Sequence, residues 1–268
     1  MELTRVKFTN LSKELFPGIT KARVIEYYIK VAPKMLPYLK DRAVVMHRFP
    51  DGIEKGGFFE KDAPPHAPEW VRTFRRYSRH AKREIRYVVC NNLDTLLWLA
   101  NLASIEINVT LSRVDDFERP DLVLIDIDPQ NGFGEAREVA LELKDVLSQL
   151  GLRCYVKTSG IRGLHVLIPI AREYSFSDTR AFAHELARIA RREKVKIDYA
   201  QNAVAKTMAA PYSLRPLEGA PVSTPLAWEE LEKGLSPAEF NINTVAERKD
   251  PWKGFFKPQR LIAHGAQG

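Results

Sequence analysis

Residues 122–129 read LVLIDIDP: four apolar residues, then Asp126 and Asp128 alternating with Ile127, closed by Pro129. So apolar a run is a buried strand. In a strand, residues two apart point the same way, so both carboxylates leave one face together. A further Asp-bearing strand, VKIDY at Val195 to Tyr199, places Asp198 about seventy residues downstream. Neighbouring anions repel and are partly protonated unless a cation offsets them. Two divalent metals roughly 3.5–4 Å apart would neutralise the pair and stabilise an in-line phosphoryl displacement. Oxygen-only ligands favour Mg²⁺ or Mn²⁺ over Zn²⁺. The same pattern also arises when one Asp pairs with a Lys or Arg and the other caps the next helix.

The chain has 268 residues, 45% of them hydrophobic, enough for a proper core. No apolar run reaches the ~18–20 residues of a membrane span, and the start MELTRVKFTN lacks the apolar core of a signal peptide, so a cytoplasmic protein is expected. Cys90 and Cys154 lack C-x-x-C spacing, which suggests neither a zinc site nor a disulfide framework. A net charge of +7 favours a polyanionic partner, and its distribution sharpens this. Residues 72–86, RTFRRYSRHAKREIR, hold Arg72, Arg75, Arg76, Arg79, Lys82, Arg83 and Arg86 with Phe74 and Tyr77 interleaved. The segment suits a loop that tracks phosphates and stacks on a base; a solvated surface hairpin is the plain alternative.

Periodicity places a helix from Thr20 to about Lys40, through Val24, Tyr27, Tyr28, Val31, Met35 and Leu39. Strands are expected at Ala43–Phe49, Phe58–Glu60, Tyr87–Cys90 and Ile105–Val109, and helices at Leu93–Ala103 and Gly134–Leu150, the last ended by Gly151. Residues 153–170 form two strands joined by a turn at 159–163, and Ser177 caps a helix to about Arg192. No internal repeat or low-complexity linker interrupts the chain, and a loosely ordered tail is expected from Phe255.

The turn itself gathers Ser159, Gly160, Arg162, Gly163 and His165. Glycines let backbone N–H groups approach an anion, Arg162 offers a forked donor, and His165 donates to a phosphate oxygen. The set suits a triphosphate, whereas a hairpin with an inward core histidine is the bland reading. It matches neither a P-loop nor a dinucleotide fingerprint.

Taken together, LSKELFP (11–17), RFPDG (48–52), GFFEK (57–61), the DID motif, KTSGIRGLHV (157–166), DYAQN (198–202) and APYSLR (210–215) closely resemble one family. It is the polymerase domain of bacterial ATP-dependent DNA ligase D, within the archaeo-eukaryotic primase superfamily. The resemblance runs from about residue 4 to 252 and suggests the stand-alone form. It implies an α+β primase-polymerase fold, with central mixed or antiparallel sheets carrying the Asp triad and helices flanking them. It further implies one catalytic domain over 1–268: a 5′-phosphate-binding and template-contacting part (1–60), a core (61–254) and a tail (255–268).

By resemblance, Asp126, Asp128 and Asp198 are the catalytic and metal-binding triad for two Mn²⁺ or Mg²⁺ ions. Arg48, Ser159, Arg162, His165, Gln201 and Arg215 bind the NTP or dNTP. Asn10, Lys13 and Lys21 form the pocket for a downstream 5′-phosphate. Phe58, Phe59, Lys61, Lys206 and the basic residues Arg72, Arg75, Arg76, Arg79, Lys82 and Arg83 contact template and DNA ends. The implied activity is template-directed gap filling at double-strand breaks in non-homologous end joining, with ribonucleotides preferred. Implied partners are break ends and gapped duplexes, a Ku-like protein and a separate ligase, with a nucleoid-associated location and a dimer bridged by DNA.

Two departures stand out. Asn108 replaces the histidine that the family usually carries after its L-E-L run, and the stretch from Arg191 to Lys196 is short, removing part of a second DNA-contacting loop. A replicative or plasmid primase and a non-catalytic end-bridging module are the alternatives. The lack of zinc-ligand cysteines speaks against the first, and the intact Asp triad against the second.

Overall fold

The computed structural model describes residues 4–79, 81–190 and 195–261. In chain order its main elements are β1 (Glu14–Phe16), β2 (Ile19–Thr20), α1 (Lys21–Leu39), β3 (Ala43–Arg48), β4 (Phe58–Glu60), β5 (Thr73–Ser78), β6 (Arg83–Val89), α2 (Leu93–Asn101) and β7 (Ser104–Thr110). There follow β8 (Ser112–Arg113), β9 (Asp116–Pro120), β10 (Leu122–Pro129), α3 (Phe133–Gln149), β11 (Tyr155–Thr158), β12 (Leu164–Pro169), α4 (Phe176–Ile189) and β13 (Val195–Asp198). The last are β14 (Thr207–Ala209), β15 (Pro225–Leu226) and α5 (Trp228–Lys233). They form two compact units, each with its own sheet. One comprises Met1–Thr110, Thr207–Thr224 and Ala238–Lys249; the other comprises Leu111–Lys206, Pro225–Pro237 and Asp250–Gly268.

In the first unit an antiparallel sheet runs β14–β7–β3–β6–β5, with β4 added beside β3. Helix α1 starts where Thr20 Oγ1 accepts from the Arg23 amide, and its Val24, Tyr27, Tyr28, Val31, Met35 and Leu39 are all buried. Pro33 and Pro37 each remove a donor from its last turns. Two buried tyrosines tie the helix down: Tyr27 donates to the Tyr212 carbonyl at 2.9 Å and Tyr28 to that of Ile105 at 2.6 Å. The basic segment expected as a loop is mostly ladder, because β5 pairs with β6 from Thr73↔Val88 to Ser78↔Arg83. Alternation accounts for this: Ile85, Tyr87 and Val89 share one buried face while Arg75 and Tyr77 turn out.

In the second unit the antiparallel order is β13–β10–β12–β11–β15, and α3 and α4 pack on β10. Ala136, Val139, Leu143 and Leu147 form the buried stripe of α3, and Gly151 follows its end with a positive φ of 69°. The cap of α4 is Ser175 rather than the expected Ser177. Ser175 Oγ accepts from the Asp178 amide, and Asp178 Oδ2 accepts from the Ser175 amide, a reciprocal capping box that leaves Ser177 inside the first turn. The segment expected to start a loose tail is docked as far as it is described. Phe255 is buried against Trp252 and Tyr155, and Tyr174 donates to the Leu261 carbonyl. Residues 262–268, and the Arg191 to Lys194 part of the shortened stretch, lie outside the described residues. Among the described residues no helix is long and apolar enough to cross a membrane.

Candidate functional site

Strand register in the second unit builds a polar row. Asp126 on β10 stands opposite Asp198 on β13 and opposite His165 on β12, while Asp128 is two positions along β10. Pairing directly across a ladder and a period of two put these side chains on one face. Each carboxylate meets a basic side chain of the protein. Asp126 Oδ1 lies 3.3 Å from His165 Nε2, Asp128 Oδ1 accepts from Arg162 Nε at 3.2 Å, and Asp198 Oδ2 lies 3.7 Å from Lys196 Nζ. Asp198 also accepts from the Ala200 amide at 2.9 Å and from Gln201 Nε2 at 3.2 Å.

Buried Asn202 fixes the approach of β13. Its Oδ1 accepts from the Leu124 amide, and its Nδ2 donates to the Leu124 and Tyr199 carbonyls. Among the described residues, no three His, Cys, Asp or Glu side chains already converge as a metal cage. The donor chemistry nonetheless fits hard divalent cations, since three carboxylates share one sheet face.

The turn between β11 and β12 is closed by its own serine. Ser159 Oγ accepts from the amides of Ile161 at 3.3 Å and Gly163 at 3.1 Å, while the Ser159 amide donates to the Gly163 carbonyl. Gly160 needs its positive φ of 80°, and a Cβ on Gly163 would lie 2.3 Å from the Ile127 carbonyl oxygen. The turn is thereby pressed onto the backbone between the two aspartates of β10. Arg162 is exposed and Lys206 is exposed on a later loop of the same unit.

The first unit holds Arg48, Arg215, Phe58, Phe59 and Lys61. Phe58 and Phe59 are 48% and 62% exposed, which removes core packing as their explanation. Arg48 lies over the Phe58 ring, donates to Glu60 Oε2 at 2.6 Å and to the Leu102 carbonyl at 3.0 Å. Arg215 Nε sits 3.5 Å from Glu106 Oε2. Two residues that sequence reasoning passed over complete this set. His47 stacks on Phe59 with centroids 3.9 Å apart and meets Glu106 with Nδ1 at 3.2 Å from Oε2. Burial pushes the Glu106 carboxyl up, but the His47 hydrogen bond and the Arg215 charge outweigh it and hold the pKa below the usual carboxylate range. Its signal in the sequence was a lone acid in the apolar run SIEINVT (104–110), the same kind of signal as in LVLIDID.

Asn10, Lys13 and Lys21 come together through the backbone: the Lys13 amide donates to the Asn10 carbonyl and the Lys21 amide to that of Lys13. Lys13 Nζ pairs with Asp51 at 2.6 Å, and Lys21, a buried residue, donates from Nζ to the Thr9 carbonyl at 2.8 Å. Burial, then the charges of Lys13 and Arg48, hold the Lys21 pKa below the ordinary lysine value. In the hairpin, Arg72 is tied to Asp41, Arg83 to Asp62, and Arg86 to the Ala63 and Pro64 carbonyls. Arg75, Arg79 and Lys82 present their charges at the surface.

The family model of the LigD primase-polymerase domain matches residues 20–253. The chain belongs to that family. Members are nucleotidyltransferases of the primase-polymerase class, and the family is metal-dependent and uses NTPs. The bifunctional non-homologous end joining protein LigD of Bacillus subtilis (strain 168) is 35% identical over 265 residues, covering 91% of this chain and 42% of that protein. The multifunctional LigD of Mycolicibacterium smegmatis is 33% identical, covering 85% of this chain and 32% of that protein. The chain thus spans less than half the length of these relatives. Its fold superposes on the polymerase domain from Mycobacterium tuberculosis ligase D, a structure in complex with DNA, with a TM-score of 0.83 at 29% identity. That match covers 91% of this chain and 94% of the other, and it agrees with the α+β architecture of antiparallel sheets flanked by helices.

Proposed function

We propose that this LigD-family chain acts as one catalytic domain that extends a primer 3′ end by template-directed nucleotide addition, filling gaps at double-strand breaks during end joining. The observation that carries this is the row Asp198–Asp126–His165 across three adjacent strands, with Asp128 beside it and the Ser159–Gly163 turn closing over the same strand. Asp126, Asp128 and Asp198 are the residues to hold two divalent cations, Mn²⁺ or Mg²⁺. Such cations supply charge neutralisation at the phosphate under attack.

The protein's own groups do the rest. Asp198, fixed by the Ala200 amide and Gln201, accepts from the primer hydroxyl, and Gln201 keeps that carboxylate in place. His165 and Arg162 turn from their aspartates to donate to the triphosphate, Ser159 shapes the turn, and Arg48 and Arg215 are further nucleotide-binding residues. Phe58 and Phe59 offer exposed rings to bases, with Lys61 and Lys206 on phosphates. Ribonucleotides are the preferred substrate, and Asn108, on the same face of β7 as Glu106, stands in place of a donor near the nucleotide sugar. Asn10, Lys13 and Lys21 take the downstream 5′-phosphate. The hairpin residues Arg75, Arg76, Arg79 and Lys82 help bring DNA ends together, so that a dimer forms only on DNA; a Ku-like protein and a DNA ligase activity complete the repair.

The test is primer extension on a short gapped duplex, with and without the downstream 5′-phosphate, offering NTPs or dNTPs in Mn²⁺, with Asp126→Ala as control. Extension stimulated by the phosphate and lost in the control is expected. Extension indifferent to the phosphate would point to a primase, and synapsis without extension by the intact protein to an end-bridging module.

A further inference from the structure

Glu106 lies in the middle of β7 at 5% exposure. A buried carboxylate is costly unless paired. This one is paired twice through the same oxygen, with His47 Nδ1 at 3.2 Å and Arg215 Nε at 3.5 Å. With Nδ1 turned to the carboxylate, His47 donates there, and the plane of its ring is set by that bond. The ring lies face to face with Phe59, their planes within 15°, and against Phe49 at 4.4 Å. Ladder register imposes the order, since Phe59 on β4 stands opposite His47 on β3, and His47 opposite Glu106 on β7. A knot that merely joins three strands would explain the burial. It would not explain why one carboxylate reaches, in one direction, a guanidinium and, in the other, the support of an exposed aromatic ring.

We propose that Glu106 is a positioning residue that couples nucleotide-phosphate contact to base stacking: it holds Arg215 by a direct ion pair and Phe59 through His47. This rests on the roles proposed above for Arg215 and Phe59. Arg215 and Phe59 share one anchor, so disturbing either loosens the other. The carboxylate itself touches no substrate.

Double-mutant cycles on steady-state extension of the gapped duplex test this in the full chain, with melting temperatures recorded to identify folded variants. Glu106→Gln keeps an acceptor and removes the charge. It should raise KM for the incoming NTP about tenfold with kcat within about threefold, and its effect should be less than additive with both Arg215→Ala and Phe59→Ala. His47→Gln keeps a donor for Glu106 but lacks the ring. In that background the less-than-additive effect expected between Phe59→Ala and Arg215→Ala should vanish, and this comparison, which needs no Glu106 variant, decides the matter if Glu106→Gln does not fold. Additive effects throughout, or a fall in kcat with KM unchanged, would overturn the coupling alone. Wild-type KM in both Arg215→Ala and Phe59→Ala would overturn the roles of those two residues, and the coupling with them.

Discussion

Asp126 and Asp198 face each other directly across the ladder between β10 and β13. Like charges in that relation destabilise a sheet by roughly 0.2–1 kcal/mol. The protein offsets this with His165, Lys196 and the Ala200 amide. Asp126→Asn should therefore leave the melting temperature unchanged or raise it, by up to about 1 kcal/mol of stability. Extension should fall on the order of 10³-fold, the several kcal/mol that charge neutralisation at the phosphate supplies. Thermal melting and single-turnover extension check the two halves. A variant that is both destabilised and active would reverse the assignment.

Cation binding should be visible without turnover. Mn²⁺ at about a hundred times its dissociation constant stabilises a folded protein by roughly 2.7 kcal/mol. The intact chain should show such a rise on Mn²⁺ titration and lose it with EDTA, while Asp126→Asn and Asp198→Asn should show little or none. An equal rise in all three proteins would place the ion elsewhere.

The residues that made the site legible were those whose signal is local. Asp126 and Asp128 stand out because acids interrupt an apolar run, and α1 because Thr20 and a regular stripe mark it. Ser175 and Ser177 are serines two apart that the sequence does not distinguish as caps, and the reciprocal bond with Asp178 separates them. The row Phe59–His47–Glu106 had no such signature, since its members come from three strands whose neighbours are set by the sheet, not by spacing. In residues 72–86 charge dominates the sequence, whereas buried Ile85, with Tyr87 two positions further along the same face, decides that the segment pairs.

Gly163→Ala tests how tightly the turn is seated. A Cβ there would lie 2.3 Å from the Ile127 carbonyl oxygen, and backbone between two aspartates has nowhere to go. Overpacking of this kind costs typically about 1–3 kcal/mol. Because Ile127 separates Asp126 from Asp128, the Mn²⁺ response should weaken together with stability. Gly134→Ala is the control: nothing lies within 4 Å of that Cβ, and in α3 the change should stabilise by roughly 0.5–1 kcal/mol. Calorimetry of the two variants, with and without Mn²⁺, separates turn packing from any general sensitivity to added methyls.

The hairpin makes a quantitative forecast about salt. Arg72, Arg83 and Arg86 are engaged with protein partners, and Arg75 pairs with Glu84 at 3.7 Å across the hairpin, yet Arg75, Arg79 and Lys82 are all exposed. Each phosphate contact contributes about −0.9 to the slope of log K against log salt on duplex DNA. Replacing Arg75, Arg79 and Lys82 with Gln should flatten the slope by up to about 2.7 and weaken binding at low salt, with little change in melting temperature. An unchanged slope would remove these residues from the DNA contact.

Lys21 should make recognition of the 5′-phosphate sensitive to pH in a window where an ordinary lysine is not. Its pKa is held below the usual value by burial, with the Lys13 and Arg48 charges adding to the effect. A phosphate dianion binds the ammonium form, so binding takes up a proton once pH exceeds the Lys21 pKa. Affinity must then fall as pH rises, starting below the ~10.4 of an exposed lysine. Folding runs the other way: a lysine whose folded pKa is depressed makes the native state bind fewer protons than the unfolded one, so stability rises with pH across the same window. Lys21→Arg keeps its charge throughout and should abolish both slopes while retaining stimulation by the phosphate. Extension on gaps with and without the 5′-phosphate, measured from about pH 7 to 10 in the two proteins, reads the effect directly. Stimulation that is flat with pH in the intact protein would assign the phosphate to Lys13 instead.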